Sequence, residues 1–302
     1  LMYASFATSR IGQQTLDDEE RASLGGHYLP TEQGTLSYTR RGPADAPAVV
    51  LIHGFSTPKF VWDQVTPKLL AAGHQVITYD HLGRGFSDRP PGPYDGGLFR
   101  RELTALIDGL QLATPLSLVG YSMGGAIAVD FSAVYPAQVN KLVLVAPAGY
   151  LPESIARSLL HIPLLGEWLA QMYLVPSIRA EIGADVAAGR APATMLDDFD
   201  RQANYAGYAR ALLSTLRHFP MSGLDERFRA VGSAGIPVTA IWGTEDQVTP
   251  YSGAAQLQRD VPQAHLVTLD DGRHNITYVQ PELVARHILQ ALASNPGPGG
   301  NP

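Results

Sequence analysis

The sequence predicts an α/β fold with a mostly parallel sheet, helices on both faces of that sheet, and one inserted helical segment. Three observations lead to this fold class. Short apolar runs recur along the chain, helical stretches separate them, and the alternation breaks once, over residues 147–235, where helical segments follow one another without a good strand. Short apolar runs that alternate with helices are typical of parallel sheets covered on both faces.

Eight strands are predicted, of which the last six are apolar runs that are too short to be helices. The first two, residues 27–31 and 35–41, are separated by the turn Glu32-Gln33-Gly34 and are expected to pair antiparallel. The later runs are residues 48–52, 75–79, 117–119, 141–145, 238–242 and 266–269. The sheet is therefore expected to be antiparallel at its start and parallel afterwards.

The chain is expected to divide into a core in two parts, residues 1–146 and 236–292, an insertion over residues 147–235, and a disordered tail over residues 293–302 that is rich in Gly and Pro. Residues 1–26 form an N-terminal extension, with a solvated helix over 15–26 that Thr15 caps and Gly25 closes. The insertion is expected to hold helices at 151–160, 164–173, 178–189, 195–219 and 223–231, broken by Pro163, Pro176, Pro192 and Pro220.

Composition restricts the classes of partner. The formal charge is −6, from 22 basic and 28 acidic residues without a basic cluster, so nucleic acid and anionic membrane surfaces are unfavourable partners and a small neutral substrate fits better. Cysteine is absent, which excludes disulfides and thiolate catalysis, and the histidines lack metal-ligand spacing. No run is long enough for a membrane span and no signal-peptide pattern opens the chain. The chain opens at Leu1 and not at a methionine, which is compatible with the removal of a leader or anchor. Both a cytoplasmic and an exported location therefore stay open.

One stretch, LSLVGYSMGGAIAV over residues 116–129, predicts a buried strand, a tight turn and the start of a helix around Ser122. Gly120 and Gly124 flank the serine in the pattern G-x-S-x-G, where larger side chains would collide across a strained turn. The first amides of the following helix lack intrahelical partners. The Met123 amide is therefore a candidate donor to an oxyanion beside Ser122.

This elbow, together with two further motifs in the expected order, resembles the α/β-hydrolase family over about residues 27–292. The resemblance implies a catalytic base at His274, in a loop after the last predicted strand and before the C-terminal helix, although Arg273 stands where the family more often has Gly. It also implies an orienting acid at Asp246, because IWGTED matches the W-G-x-x-D form; Glu245 is the adjacent alternative. His161 and His218 fall in the insertion and are expected to be surface or packing residues, with contact to substrate as the alternative.

The resemblance also covers two loops that follow earlier strands. HGF, residues 53–55, resembles the family's oxyanion loop, with the Phe55 amide as the second donor and His53 as a structural residue. YDHLGRGFSD resembles a turn beneath the active site, in which Asp80 and Ser87 are expected to bond to backbone and not to substrate. This stretch lacks the Lys-Ser/Thr of a P-loop and the full dinucleotide fingerprint.

The resemblance implies a serine hydrolase of carboxylic esters, similar to carboxylesterases and small lipases, with a helical cap and no cofactor. Haloalkane dehalogenases and epoxide hydrolases of this fold use an aspartate at the elbow, which Ser122 argues against. The first alternative enzyme is a carbon–carbon bond hydrolase of ring-fission products, and the second is a haloperoxidase-like enzyme that carries out perhydrolysis. The alternative outside the enzymes is a non-catalytic ligand receptor. The identity of the ester, its chain length and the oligomeric state are not specified by the sequence. Candidate pocket walls are Phe60, Trp62, Tyr150, Trp168 and Met172, and for each of them a place in the core is the equal alternative.

Overall fold

A computed structural model describes residues 11–152 and 158–294. Eight strands form one sheet in the spatial order β1-β2-β4-β3-β5-β6-β7-β8, in which β1, β2 and β4 pair antiparallel and all other neighbours pair parallel. The strands are β1 His27–Thr31, β2 Gly34–Arg41, β3 Ala48–Ile52, β4 Gln75–Tyr79, β5 Leu116–Tyr121, β6 Val139–Val145, β7 Val238–Gly243 and β8 His265–Leu269. The predicted mixed α/β sheet is confirmed.

Helices connect the parallel strands and cover the sheet. Outside the insertion they are α1 Asp18–Leu24, α2 Thr66–Ala71, α3 Gly96–Gly109, α4 Met123–Val134, α10 Gly253–Asp260, α11 Ile276–Val279 and α12 Pro281–Ala293, with 3-10 turns at Lys59–Trp62 and Pro136–Gln138. Strand β5 is buried along its whole length, and α4 leaves it directly and is itself almost wholly buried. The strand and helix that flank Ser122 are therefore at the centre of the core.

Between β6 and β7 the regular elements among the described residues are helices, joined by loops that carry isolated β-bridges. These helices are α5 Leu165–Leu169, α6 Val175–Ala187, α7 Thr194–Asn204, α8 Tyr208–His218 and α9 Asp225–Ser233. The centre of the predicted helix 151–160 lies outside the described residues, as does the predicted tail from residue 295 onward. Residues 147–235 are called the insertion below.

Three local predictions are wrong in detail. Asp17, not Thr15, caps α1, because its side chain accepts the Glu20 amide, whereas Gly25 closes the helix at φ 67° as expected. The predicted helix 195–219 is two helices, separated where Gly207 adopts φ 91°. Pro176 does not break its helix. It lies in the first turn of α6, directly after the π-helical turn Ala170–Leu174, and a first turn tolerates a residue without a backbone N–H.

The described part of the chain contains no helix that is both long enough and apolar enough to cross a bilayer. It also contains no group of three or more histidine or carboxylate side chains arranged to hold a metal ion.

Candidate active site

Four loops meet where the parallel strands end at their carboxyl edge. Ser122 follows β5, the HGF loop follows β3, Asp246 follows β7, and His274 follows β8. Ligand and catalytic sites of open α/β sheets lie at this edge. Residues that are as many as 221 positions apart in sequence, from His53 to His274, are thus brought together.

Ser122 occupies a strained turn that only flanking glycines permit. Its backbone has φ 54° and ψ −120°, a conformation that is rare for a residue with a side chain. A Cβ on Gly120 would lie 2.4 Å from the Gly124 carbonyl oxygen, and a Cβ on Gly124 would lie 2.2 Å from the Ile52 carbonyl oxygen. The steric argument for the two elbow glycines therefore holds in the folded chain.

A hydrogen-bond chain joins Ser122, His274 and Asp246. His274 Nε2 lies 3.0 Å from Ser122 Oγ, and His274 Nδ1 lies 2.8 Å from Asp246 Oδ2. The Asp246 side chain is fully buried and that of His274 is 15% exposed. In this arrangement an imidazole can accept the serine proton while a carboxylate holds its other nitrogen in the protonated tautomer.

Thr249, which the sequence analysis did not single out, completes the environment of Asp246. Asp246 Oδ1 accepts the amides of Val248 at 2.9 Å and Thr249 at 2.8 Å, and Oδ2 accepts the Thr249 hydroxyl at 2.8 Å. An aspartate that bonds amides two and three residues ahead is a common turn pattern, so the sequence DQVT contained a signal for it. The neighbouring Glu245 is exposed and lines an outer cleft, so the geometry favours Asp246 as the partner of His274.

The HGF loop packs directly against the serine. A Cβ on Gly54 would lie 3.3 Å from Ser122 Cβ, so the glycine permits this close approach. Neither the Phe55 amide nor the Met123 amide donates a hydrogen bond to the described residues, which leaves both available to a bound oxygen atom.

Buried hydrogen bonds hold the HGF loop in place. The His53 Nδ1–H donates to the Gly54 carbonyl at 2.8 Å, and His53 Nε2 accepts the His81 amide at 2.9 Å, so the ring is neutral. Burial, with a smaller contribution from His81, lowers the pKa of His53 well below its ordinary value. His53 is therefore a structural residue, as expected.

Asp80 and Ser87 also bond to backbone, as the sequence predicts. Asp80 accepts the amides of Lys59 at 2.9 Å and Phe86 at 3.0 Å, while Ser87 donates to the Asp80 carbonyl and accepts the Ser37 amide. This network fixes the turn beneath the site.

Ser122 opens into a cavity of about 180 Å³. From the insertion, Leu174, Ile178 and Ile182 line it at a spacing of four residues, together with Glu181. A stripe at i, i+4 and i+8 is one face of a helix, so the periodicity of α6 was the available signal. Phe55 and Tyr278 line the cavity from the core.

Two larger clefts share walls with this cavity. One, of about 590 Å³, is apolar, shares Leu174 and Val248 with the first cavity, and continues past Leu169 and Leu216. The other, of about 490 Å³, shares Glu181 with the first cavity and continues past Arg273. We call these the apolar cleft and the polar cleft.

The five predicted pocket residues do not line the Ser122 cavity, as far as the described residues define it. Trp62 is fully buried and its ring meets that of Tyr121 edge-on, and Phe60 lines a separate cavity of about 210 Å³. Tyr150 stacks on a phenylalanine ring, with a centroid separation of 4.5 Å, and donates to Asp260. Trp168 packs against Tyr173, and Met172 lies in the π-helical turn, whose last residue, Leu174, lines the cavity instead.

The two histidines of the insertion are remote from the serine. His161 is exposed, and His218 is exposed and bonds the Ser214 carbonyl at 2.8 Å within its own helix. Neither residue lines the Ser122 cavity. The geometry therefore leaves His274 as the histidine that contacts the serine hydroxyl.

Comparison with known proteins agrees with this geometry. The sequence pattern of the alpha/beta hydrolase fold family matches residues 47–281. Human monoacylglycerol lipase ABHD6 is 27% identical over 288 residues, which span 88% of this chain and 82% of that protein. Lipase 1 of Psychrobacter immobilis is 27% identical over 253 residues, which span 79% of this chain and 74% of that protein.

The fold also matches solved structures. The enol-lactonase from Burkholderia xenovorans LB400 superposes with a TM-score of 0.75 at 19% identity, over 89% of this chain and 100% of that one. The sheet, the elbow serine and a family pattern that spans most of the sequence lead to one conclusion: the chain belongs to the alpha/beta hydrolase fold family, and its relatives include lipases.

Proposed function

We propose that this protein is a serine hydrolase that cleaves carboxylic esters of small, mostly apolar molecules through a covalent acyl-enzyme. The observation that carries the proposal is the hydrogen-bond chain from Ser122 through His274 to Asp246, with contacts of 3.0 and 2.8 Å. The two lipases among the relatives support an ester as substrate.

The reaction would begin with attack of Ser122 Oγ on the ester carbonyl. As the new C–O bond forms, His274 Nε2 takes the hydroxyl proton, and the buried Asp246 carboxylate stabilises the imidazolium. The carbonyl oxygen becomes an oxyanion that accepts the Phe55 and Met123 amides. A donor of this kind is typically worth about 10² to 10³ in kcat.

Collapse of the tetrahedral intermediate would expel the alcohol and leave an acyl-enzyme. His274 returns its proton to the leaving alkoxide, and the acyl group stays on Ser122. A water molecule then attacks the acyl carbonyl while His274 takes its proton, and the second collapse releases the carboxylic acid and restores the serine hydroxyl. Protein groups and one water molecule supply every role, so the mechanism needs no cofactor.

The two clefts suggest how the substrate would lie. The apolar cleft, walled by Leu169, Leu216 and Met221, suits the acyl chain. The polar cleft, with Glu181 and Arg273, suits the alcohol end of the ester. In this orientation the insertion acts as a cap that governs substrate range, because its helices α5, α6 and α8 contribute to the walls.

A panel of p-nitrophenyl esters of increasing acyl length tests the function. Each buried methylene is worth about 0.8 kcal/mol, so kcat/KM should rise about fourfold per CH₂ until the chain fills the apolar cleft, then level off. Ser122→Ala should abolish turnover, and a fluorophosphonate should label Ser122 alone. Faster turnover of a ring-fission product than of every ester would instead favour carbon–carbon bond hydrolysis.

A further inference from the structure

The insertion is bonded to both loops that would carry the chemistry, not only packed over the cavity. The oxyanion loop is defined here as residues 53–57, and the base loop as residues 272–275. Hydrogen bonds join each loop to side chains of the insertion, and these bonds involve the residues next to the reacting groups.

On the oxyanion loop, the contact point is the Ser56 carbonyl. Gln202 Nε2 on α7 and Tyr208 Oη on α8 both donate to it at 2.9 Å. Gln202 also uses its other amide atom, since Oε1 accepts the Gly85 amide at 2.9 Å. Gln202 and Tyr208 are fully buried, so water cannot replace these bonds without opening the interface.

Arg84 makes a second connection one residue earlier. Its Nε donates to the Phe55 carbonyl at 3.0 Å, and its Nη2 donates to the Thr215 hydroxyl on α8 at 2.8 Å. Burial lowers the pKa of Arg84 to about 10, so its guanidinium still carries a full set of donors at neutral pH. The peptide groups on both sides of Ser56 are thus tied to α7 and α8.

On the base loop, the contact point is Asn275, the residue after His274. Asp185 on α6 is 5% exposed and accepts Asn275 Nδ2 at 2.5 Å and Tyr278 Oη at 3.3 Å. Arg190 donates to the same carboxylate at 2.7 Å and balances its charge.

The core holds this loop from the other side. The Tyr121 hydroxyl donates to the His274 carbonyl at 3.0 Å, and burial raises the pKa of Tyr121, which keeps that donor protonated. His274 therefore lies between one anchor in the core and one in the insertion.

We infer that Gln202 and Asp185 are positioning residues, through which the insertion fixes the oxyanion donor at Phe55 and the base at His274 and so sets kcat as well as substrate range. The inference rests on the proposed function. Its physical basis is that removal of either side chain leaves buried partners unbonded, such as the Ser56 carbonyl, and the loop must shift to satisfy them. A misplacement of about 1 Å in reacting groups can cost on the order of 10² in rate.

The test uses p-nitrophenyl acetate, because its two-carbon acyl group is too short to contact the far walls of the apolar cleft. Gln202→Ala and Asp185→Ala should each lower kcat about 10- to 100-fold, with KM changed less than about threefold. Rates are expressed per active site, counted from the end point of fluorophosphonate labelling of Ser122, so misfolded protein does not contribute. The rate of that labelling should fall in parallel with kcat.

Asp200→Asn is the matched control. It removes the negative charge from the exposed pair between Asp200 and Arg179, with contacts of 2.6 and 2.7 Å, which joins α6 to α7 without touching either loop. Acetate turnover should therefore stay within about twofold of wild type, as expected for a surface ion pair.

Two further variants keep the test decisive if an alanine variant does not fold. Asp185→Asn keeps an oxygen that can accept Asn275 Nδ2 and should recover most of the acetate rate. Gln202→Glu keeps the acceptor for the Gly85 amide but loses the donor to the Ser56 carbonyl, so its kcat should be low both alone and in combination with Asp185→Asn.

Acetate kcat per site that stays near wild type in the Gln202 and Asp185 variants, with only long-chain esters affected, would overturn the inference and leave the insertion as a wall. Failure of the proposed function would look different, since wild-type protein would then show neither turnover nor labelling of Ser122.

Discussion

Asp246→Asn is the substitution for which the structure sets both the direction and the size of the effect. The side-chain amide has the same shape as the carboxylate, so its orientation decides the outcome. The Oδ1 position accepts two backbone amides, from Val248 at 2.9 Å and Thr249 at 2.8 Å. Only an oxygen can accept both, so the asparagine NH₂ must take the Oδ2 position.

That orientation points a donor at His274 Nδ1, where the carboxylate accepts at 2.8 Å. The imidazole then carries its proton on Nε2, and that nitrogen no longer accepts the proton of Ser122. The same exchange in a serine protease triad lowers kcat by about 10⁴, which corresponds to about 5 kcal/mol of activation free energy. Thr249 can turn its hydroxyl proton to the Ala146 carbonyl at 3.0 Å, so folding should tolerate the change.

The assay is steady-state hydrolysis of p-nitrophenyl butyrate, with thermal unfolding measured on the same preparations. Glu245→Gln is the matched control, because Glu245 is adjacent but exposed, and its kcat should stay within about threefold of wild type. Retention of more than about 1% of wild-type kcat by a folded Asp246→Asn variant would refute the reasoning. A large loss in Glu245→Gln with a small loss in Asp246→Asn would move the acid by one residue.

Three other predictions follow from single contacts. Thr249→Val removes the hydroxyl that bonds the buried carboxylate at 2.8 Å and should lower kcat about tenfold in the same assay. Gly124→Ala would place a Cβ 2.2 Å and 2.5 Å from the Ile52 and His53 carbonyl oxygens and should abolish stable folding. Gly183→Ala is its control, because the added Cβ meets only a side-chain atom at 3.9 Å, and it should raise the free energy of unfolding by up to about 1 kcal/mol in denaturant titrations. The pKa of His53 is lowered in the native chain, so below about pH 6.5 the unfolded chain binds a proton that the native chain does not. The free energy of unfolding should therefore fall with decreasing pH, by up to about 1.4 kcal/mol per pH unit. A folded His53→Asn variant should show a weaker dependence of the unfolding free energy on pH.

Elements that local sequence determines were predicted closely. The strands that begin at Ala48 and Gln75 end where the apolar runs end, because a short apolar run bounded by turn residues has few alternatives in an α/β chain. Gly120 of the serine elbow is predictable for a similar reason, since the atoms that exclude a Cβ there belong to Gly124 and Gly125, whereas Gly124 is required by the Ile52 and His53 carbonyl oxygens of another strand and its loop.

Features that depend on how the insertion packs were not predicted. The residue type of aromatics such as Trp62 and Trp168 favours a place in a pocket wall, but residue type does not say which face of an element meets the cavity. The positions of Asp185 and Gln202 depend on contacts with Asn275 and Ser56, which are 90 and 146 residues away in sequence. Spacing along the chain carries no signal for such pairs.

The central claim is that Ser122 forms an acyl-enzyme that water then hydrolyses. Its most direct test is rapid mixing with an activated ester, followed by acid quench and intact-mass measurement, with product followed in parallel. We predict one acyl adduct per chain that maps to Ser122, product release that continues far beyond one equivalent, and loss of both in Ser122→Ala. A product yield that stops at one equivalent, or an adduct on any other residue, would contradict the claim.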